Sequence, residues 1–264
     1  TNLFPSVFAS YKFSARISFQ AGYSRRIYRP RLWSLNHYFN IRNNFSIRAG
    51  NPNLQPEFSD NIELPGIYYL EKASFNASIF RNHTTDDIEW VTFFDENVAI
   101  TTPVNLGTNT QTGFEFNSKY SPSKWLDVRG EFYFSFFSRR GEFQGTSFDF
   151  DANQWNAELN TKWKLPRDVD IELTGEYQSG FLTLQGEQAG YALLNIGLRK
   201  KMLDGRLIAN FNVRDAFASR ISQTEVRTEN FYSFNFGQRG RFVTLGLSYG
   251  FGKGEAMEYS GRRR

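Results

Sequence analysis

The sequence predicts an all-β chain, an antiparallel transmembrane β-barrel of about eleven strands, and three observations carry that prediction. First, residues 153 to 178 alternate strictly: Trp155, Ala157, Leu159, Thr161 and Trp163, then Val169, Ile171, Leu173, Gly175 and Tyr177, fall on one face. The other face carries Gln154, Asn156, Glu158, Asn160, Lys162 and Lys164, then Asp170, Glu172, Thr174, Glu176 and Gln178. A strand has a side-chain period of two, so these residues form a hairpin with one apolar and one polar face. Second, 28 Phe, 13 Tyr and 5 Trp exceed the needs of one sandwich core and suit the interface girdles and lipid face of a barrel. Third, the mean hydropathy of −0.52 fits a wall whose alternate residues face a polar lumen. No run approaches the roughly 18 apolar residues of a spanning helix.

Along the chain the same alternation places each hairpin in turn. Val7, Ala9, Tyr11 and Phe13 turn at Ser14-Ala15 and return as Ile17, Phe19, Ala21 and Tyr23. A long polar and aromatic loop spans 29 to 57. Residues 58 to 70 and 73 to 82 form the second hairpin, turned at Glu71-Lys72, with Pro65 predicting a bulge or local distortion. Its second strand is expected to run on through Asp87-Ile88-Glu89-Trp90-Val91 to a small tip near Asp95-Glu96-Asn97. Thr112, Phe114, Phe116 and Tyr120 lead to a turn at Ser121-Pro122-Ser123-Lys124 and return as Leu126, Val128, Phe132 and Phe134. After a loop near 141 to 151 comes the hairpin turned at Leu165-Pro166-Arg167-Asp168, then a loop around 180 to 190. Strands at 191 to 200 and 206 to 216 are joined by Met202-Leu203-Asp204-Gly205, where Asp-Gly is a strong hairpin signal. The last strand carries Val243, Leu245, Leu247, Tyr249 and Phe251 on one face.

Short and long connections thus alternate. Bacterial barrels keep short turns in the periplasm, which puts Ser14, Glu71, Ser121, Pro166 and Asp204 on that side. The odd strand count, with the first strand descending from outside, marks the C-terminal portion of a larger barrel. No leader opens the chain, and Thr1-Asn2-Leu3-Phe4 reads as the middle of something longer. Residues 1 to 251 are assigned to barrel strands and 252 to 264 to a removable periplasmic tail. Phe251 resembles the terminal aromatic that outer-membrane barrels present to the barrel-assembly machinery, although thirteen residues follow it. Zero cysteines exclude a disulfide framework, and a net charge of +4 without a basic stripe argues against nucleic acid as a partner.

At Gly50-Asn51-Pro52-Asn53-Leu54-Gln55-Pro56-Glu57, followed by Ser59-Asp60-Asn61-Ile62-Glu63-Leu64, the chain resembles the outer-membrane β-barrel family of Bacteroidetes-type TonB-dependent receptors. Supporting pieces are Tyr23-Ser24-Arg25-Arg26-Ile27-Tyr28-Arg29-Pro30, Thr85-Asp86-Asp87-Ile88, Pro103-Val104-Asn105-Leu106-Gly107, Leu198-Arg199-Lys200-Lys201 and Tyr249-Gly250-Phe251-Gly252-Lys253. The resemblance implies a barrel of about 22 strands around an N-terminal plug, opened by a TonB-type periplasmic energy transducer. It implies energised import or capture of a siderophore, glycan or peptide nutrient. The expected partners are outer-membrane lipid, an upstream plug and the remaining barrel strands, and neither plug nor partner-binding box lies in these residues. A structural or adhesive barrel, or a porin-like channel, is the alternative; a soluble β-sandwich is a third.

Candidate chemistry is sparse. His37 and His83 lie apart and without a serine–carboxylate partner set, so no catalytic residue and no cofactor is expected. Asp86-Asp87 with Asp95-Glu96 fit a hard cation or a solvated acidic loop. Glu115, Lys119, Asp127, Arg129, Glu131, Glu158, Lys162, Asp170, Glu172 and Glu176 are expected to face the lumen as mixed-sign rows that pair across strands. Arg25, Arg26, Tyr28, Arg29, Arg31, Trp33 and Tyr38, at the mouth of the longest loop, suit an anionic or sugar-like ligand, and equally an interface girdle with loop packing.

Overall fold

In the computed structural model, which describes residues 2–38, 40–43, 45–95, 98–228 and 231–251, the alternating segments pair into one antiparallel wall. The tail 252–264 and the tip residues Glu96 and Asn97 lie outside the described residues. In chain order the elements are β1 (Ser6–Lys12), β2 (Ile17–Tyr28), a one-turn helix α1 (Leu32–Leu35), β3 (Asn40–Asn43), β4 (Ser46–Arg48), β5 (Glu57–Tyr69) and β6 (Ala73–Thr85). There follow β7 (Ile88–Asp95), β8 (Val98–Asn105), β9 (Gly107–Ser123), β10 (Leu126–Phe143), β11 (Thr146–Ser147), β12 (Phe150–Leu165) and β13 (Val169–Gln178). The last are β14 (Phe181–Thr183), β15 (Gly186–Gln188), β16 (Tyr191–Met202), β17 (Leu207–Arg214), β18 (Ile221–Thr228), β19 (Phe231–Gln238) and β20 (Phe242–Tyr249).

The wall runs β1-β2-β5-β6-β9-β10-β12-β13-β16-β17-β20, with β11 paired to β10. Its two end strands pair on one side only, so the described residues form an open arc.

Because the register is continuous, side chains of one face line up from strand to strand. One such row is Phe19, Gly66, Ala77, Phe116, Phe132, Ala157, Tyr177 and Ala192. Aromatic pairs stiffen this face, with Trp155 stacked 4.4 Å from Tyr177 and tilted 6.1 Å from Phe132. Leu159 is 53% exposed and Leu245 72% exposed within a band of like residues, a surface suited to lipid.

The connections differ from expectation in four places. The strand β6 does not run on past Thr85; Asp86, at φ 57°, breaks it, and β7 pairs with β8 in a separate sheet. The strand β9 extends to Ser123, which moves the expected turn to Lys124-Trp125. Likewise β10 continues to Phe143, shortening the following loop to a tip. Pro65 stays in register with Ser78 on β6, with no bulge there. Against β2 the ladder lapses between the Phe19–Gly66 and Gly22–Glu63 pairs, where Pro65 has no N–H to donate.

The long connections are themselves folded. One four-stranded sheet runs β3-β4-β8-β7 and joins the loop after β2 to the loop after β6; another runs β14-β15-β18-β19 and joins the two loops flanking β16 and β17. Together they form a cap. The buried cluster of Val91, Val104 and Leu106, packed by Phe143, Phe148 and Leu184, lies where this cap meets β10. A wall in lipid needs no apolar interior, whereas a water-exposed cap does.

Candidate functional site

The cap is stitched together by the short Asn- and Pro-rich segments. The Asn51 side-chain amide donates to the Pro103 carbonyl at 3.1 Å. Asn105 accepts from the Gln55 backbone N–H at 2.8 Å and donates to the carbonyls of Gln55 and Asp86. Glu57 Oε1 accepts from the Ile88 N–H at 2.6 Å. Gly50 lies so close to the Asn36 and Ser34 carbonyls that a Cβ would collide with both. The segments 50–57 and 103–107 thus hold two loops together.

Beneath the cap, against the polar face of β9, β10 and β12, lies a cavity of about 420 Å³. The wall contributes Asn109, Gln111, Phe137, Arg139 and Gln154. The cap contributes Glu89, Trp90, Thr92 and Thr101 from one hairpin, and Phe181, Thr183 and Gln185 from the other. Gln185 locks the two hairpins, donating to the Thr92 carbonyl and accepting from the Thr92 N–H, both at 2.8 Å. Arg139 pairs with Glu89 and so ties the cap to the wall. Arg139 Nε and Asn109 Oδ1 are buried without a hydrogen-bond partner.

Burial pushes the Glu89 carboxyl above its ordinary range, opposed by Arg139 and reinforced by Asp87 and Glu57. Asp87 is raised by burial too, against the pull of Arg139 and a hydrogen bond from Asn109. Glu57 is raised by burial, against its bond from the Ile88 N–H, with Asp87 adding to the rise. Asp87 and Glu89 therefore share the Arg139 guanidinium at the seam between cap and wall, with Glu57 beside Asp87.

The expected mouth residues do not converge. Arg25 pairs with Asp60 at 3.7 Å and lies 5.7 Å from the Phe58 ring, on the side of β2 that carries Tyr23. Arg26 takes the opposite face, and Tyr28, 46% exposed, ends the strand. Arg29 and Arg31 are exposed beside α1, where the Arg31 carbonyl accepts from the Ser34 N–H. Tyr38 is exposed beyond α1. Trp33 stacks at 5.4 Å on the cavity residue Trp90, and Arg48 lies 4.0 Å from the Trp90 ring centroid.

The ten expected lumen residues do share the polar face of β9, β10, β12 and β13, but they segregate by sign. Glu131, Glu158 and Glu176 stand directly opposite one another on β10, β12 and β13, and with Glu115 they line a second cavity of about 290 Å³. Lys119 opposes Arg129. Opposite charges alternate nearer the short turns, as Asp127, Lys162 and Glu172, and as Lys164, Asp170 and Arg199. There Lys164 reaches Asp127 at 3.2 Å and Arg199 reaches Asp170 at 3.8 Å. The expected mixed-sign pairing therefore holds in part of the face and gives way to a like-charge row higher up. Side chains of equal sign coincide there because three strands of different local sequence happen to share that level, which a strand-by-strand reading does not register.

His83 contacts Thr110 at 2.8 Å across β6 and β9, far along the chain from His37 in the loop. Among the described residues no three His, Cys, Asp or Glu side chains gather as metal ligands. Arg139, Asn109, Gln154 and Gln185 are the site residues that sequence reasoning missed. Carrying the alternation of β10 past Phe134 would have put Arg139 on the same face as Glu131; nothing in the sequence marks Gln185.

The profile of the outer membrane protein beta-barrel family matches residues 1–249. No curated protein sequence is significantly similar to the chain. Among solved structures, the FrpB iron transporter from Neisseria meningitidis superposes with a TM-score of 0.64 at 18% identity, over 94% of this chain and 38% of that one. The siderophore receptor PirA from Pseudomonas aeruginosa gives 0.62 at 17% identity, over 93% and 41%. The ferric yersiniabactin uptake receptor FyuA from Yersinia pestis gives 0.61 at 18%, over 92% and 36%. At these identities the likeness is one of fold, and the chain spans about two-fifths of each of those proteins.

Proposed function

Because the chain belongs to the outer membrane protein beta-barrel family, a family of the bacterial outer membrane, we propose that it is the C-terminal barrel portion of a TonB-dependent receptor. The carrying observation is the open arc, whose end strands β1 and β20 each pair on one side only. In hydrocarbon each unpaired backbone group costs several kcal/mol, so such an arc requires further strands to complete the wall. Its superposition on about two-fifths of an iron transporter and two siderophore-type receptors supports a barrel of their size. The role is capture and energised import of a nutrient. The polar face lines the lumen, the cap faces outward, the cavity beneath it holds the ligand, and no reaction is catalysed. Residues 252–264 form a periplasmic tail. The receptor's partners are an upstream plug, a TonB-type energy transducer, and the barrel-assembly machinery during insertion.

Two experiments test this. The complete gene, expressed in its host, should support uptake of its nutrient that stops when an uncoupler collapses the proton gradient; uptake indifferent to the uncoupler overturns the energised cycle. The 264-residue chain, purified and reconstituted alone, should not give a heat-modifiable monomer with discrete currents. If it does, it is a complete small barrel with porin-like function.

A further inference from the structure

We propose that the outside of the wall carries a site for the phosphate of an outer-leaflet lipid headgroup, with Arg81 as its cation and the Thr112 hydroxyl beside it; the proposal rests on the reading of the apolar face as the lipid face. The register shows where that face leaves the hydrocarbon. Leu64, Ile79, Phe114 and Phe134 stand side by side on β5, β6, β9 and β10, and all are apolar. Two residues further from the short turns the same face reads Ile62, Arg81, Thr112 and Phe136, and two further still Asp60, His83, Thr110 and Ser138. The face thus passes from apolar to polar within two steps. Strand length gives the same boundary independently: β6 begins at Ala73, and a tilted strand crosses the hydrocarbon in about 9–11 residues, so it emerges between Arg81 and His83.

Charge argues next. On this outward rim Arg25 lies 3.7 Å from Asp60, whose carboxylate also accepts from the Tyr23 hydroxyl at 2.7 Å, and Arg140 pairs with Asp151 at 2.7 Å. Arg81 is exposed and, among the described residues, makes no ion pair. Its neighbours across the ladder are Ile62 and Thr112, and along its own face Ile79 and His83, whose Nδ1 is bonded to Thr110 at 2.8 Å. A cation on the lipid face is costly at mid-membrane and nearly free at the interface, where its head reaches the headgroup layer. The anion of that layer is phosphate, which a guanidinium meets with two parallel N–H donors. Thr112, exposed on the same row, adds an O–H donor, and Ile62 and Ile79, 46% and 58% exposed, give the adjoining acyl chain apolar contact.

The test uses the full-length receptor in a neutral detergent, with bound lipid counted by native mass spectrometry. It is titrated with dioleoylphosphatidylglycerol, with dioleoylglycerol, which lacks the phosphate, and with inorganic phosphate. Phosphatidylglycerol should bind, about tenfold more weakly to Arg81→Gln, with affinity partly recovered in Arg81→Lys. Thr112→Val, which removes the hydroxyl at equal size, should weaken binding about threefold and repeats the test without touching the charge. Lys119→Gln removes one positive charge from the polar face and should leave binding unchanged, while heat-modifiability of every variant checks that the barrel assembles. Four results overturn the proposal: phosphatidylglycerol bound equally by the wild type and Arg81→Gln, dioleoylglycerol weakened as much as phosphatidylglycerol by that change, Lys119→Gln as damaging as Arg81→Gln, or inorganic phosphate held at Arg81 as tightly as the lipid. If Arg81→Gln changes nothing while Leu159→Arg blocks membrane assembly and Asn160→Arg does not, the lipid-face reading stands and the phosphate site falls.

Discussion

In the wall, each strand meets lipid on one side and polar surroundings on the other, and apolar and polar residues alternate over most of its length. In the cap, strands of three to eight residues pack on one another and on the wall, and their side chains answer to neighbours rather than to two solvents. The buried apolar cluster sits in the cap, while the wall exposes its apolar face. Two solvents can therefore write a pattern into a sequence more plainly than tertiary packing does, and a substitution should be read differently in the two regions.

The largest expected effect tests the wall. Leu159→Arg places a charge in the lipid-facing band at a cost of about 2–4 kcal/mol, whereas Asn160→Arg lands on the polar face, where Asn160 already bonds Glu172 and Thr174. Recovery of folded, heat-modifiable protein from the membrane fraction should drop sharply for the first and little for the second. Equal losses would mean that the faces are wrongly assigned.

A second comparison sets two wall glycines against each other. Phe80 lies across Gly113, stacked 5.6 Å from Tyr133, and a Cβ at Gly113 would collide with the Phe80 ring and the Phe134 carbonyl. Gly175 faces open space on the apolar side. Gly113→Val should destabilise by about 1–3 kcal/mol, read as a lower urea midpoint of the folded barrel, while Gly175→Val should leave the midpoint unchanged or raised.

The cap is probed through Gln185→Leu, which strips both hydrogen bonds from the Thr92 backbone. The loss of about 1–3 kcal/mol should stay local. Amide exchange should accelerate across β7 and β14 and remain slow in β12 and β13; a uniform change would mean that cap and wall unfold as one unit.

The smallest effect is a pH dependence of the seam. Glu57 where β5 begins, and Asp87 and Glu89 in the cap, all have raised proton affinity in the folded protein, chiefly through burial. A raised carboxyl contributes its stability fully below the ordinary range of about 4, and the contribution fades as pH climbs through the raised values. Docking of β7 on the wall should therefore tighten on acidification from neutral pH, measured as slower proteolysis within 86 to 106. Faster cleavage in acid would show that the Arg139–Glu89 pair outweighs the burial of the three carboxyls.

Legibility of the sequence followed the same division. The eleven wall strands and four of their five short turns can be read from periodicity, because Trp155 to Trp163 and Val169 to Tyr177 leave no other register; the turn after β9 lies further on than its Ser-Pro signal. The break at Asp86 cannot, since a left-handed aspartate after two threonines carries no glycine or proline to announce it. Phe181–Thr183 and Gly186–Gln188 are too short to show a period, so their hairpin, and with it Gln185, reads as loop in the sequence. The segment 50–57 is visible as a motif, while its task of stitching Asn51 to Pro103 and Gln55 to Asn105 depends on segments some fifty residues away that only the fold brings beside it.

The parallel ladder of β4 against β8, Ser46 to Ala99, Ile47 to Ile100 and Arg48 to Thr101, joins segments separated by the whole β5–β6 hairpin. These strands cannot meet until that hairpin has closed and brought their ends to the same rim. Non-local pairings form late and slowly, because the intervening chain must first give up its freedom. Biogenesis of this protein should thus pass through an interval in which the wall is already inserted while its mouth gapes, and for that interval secreted proteases and solutes have access to the interior.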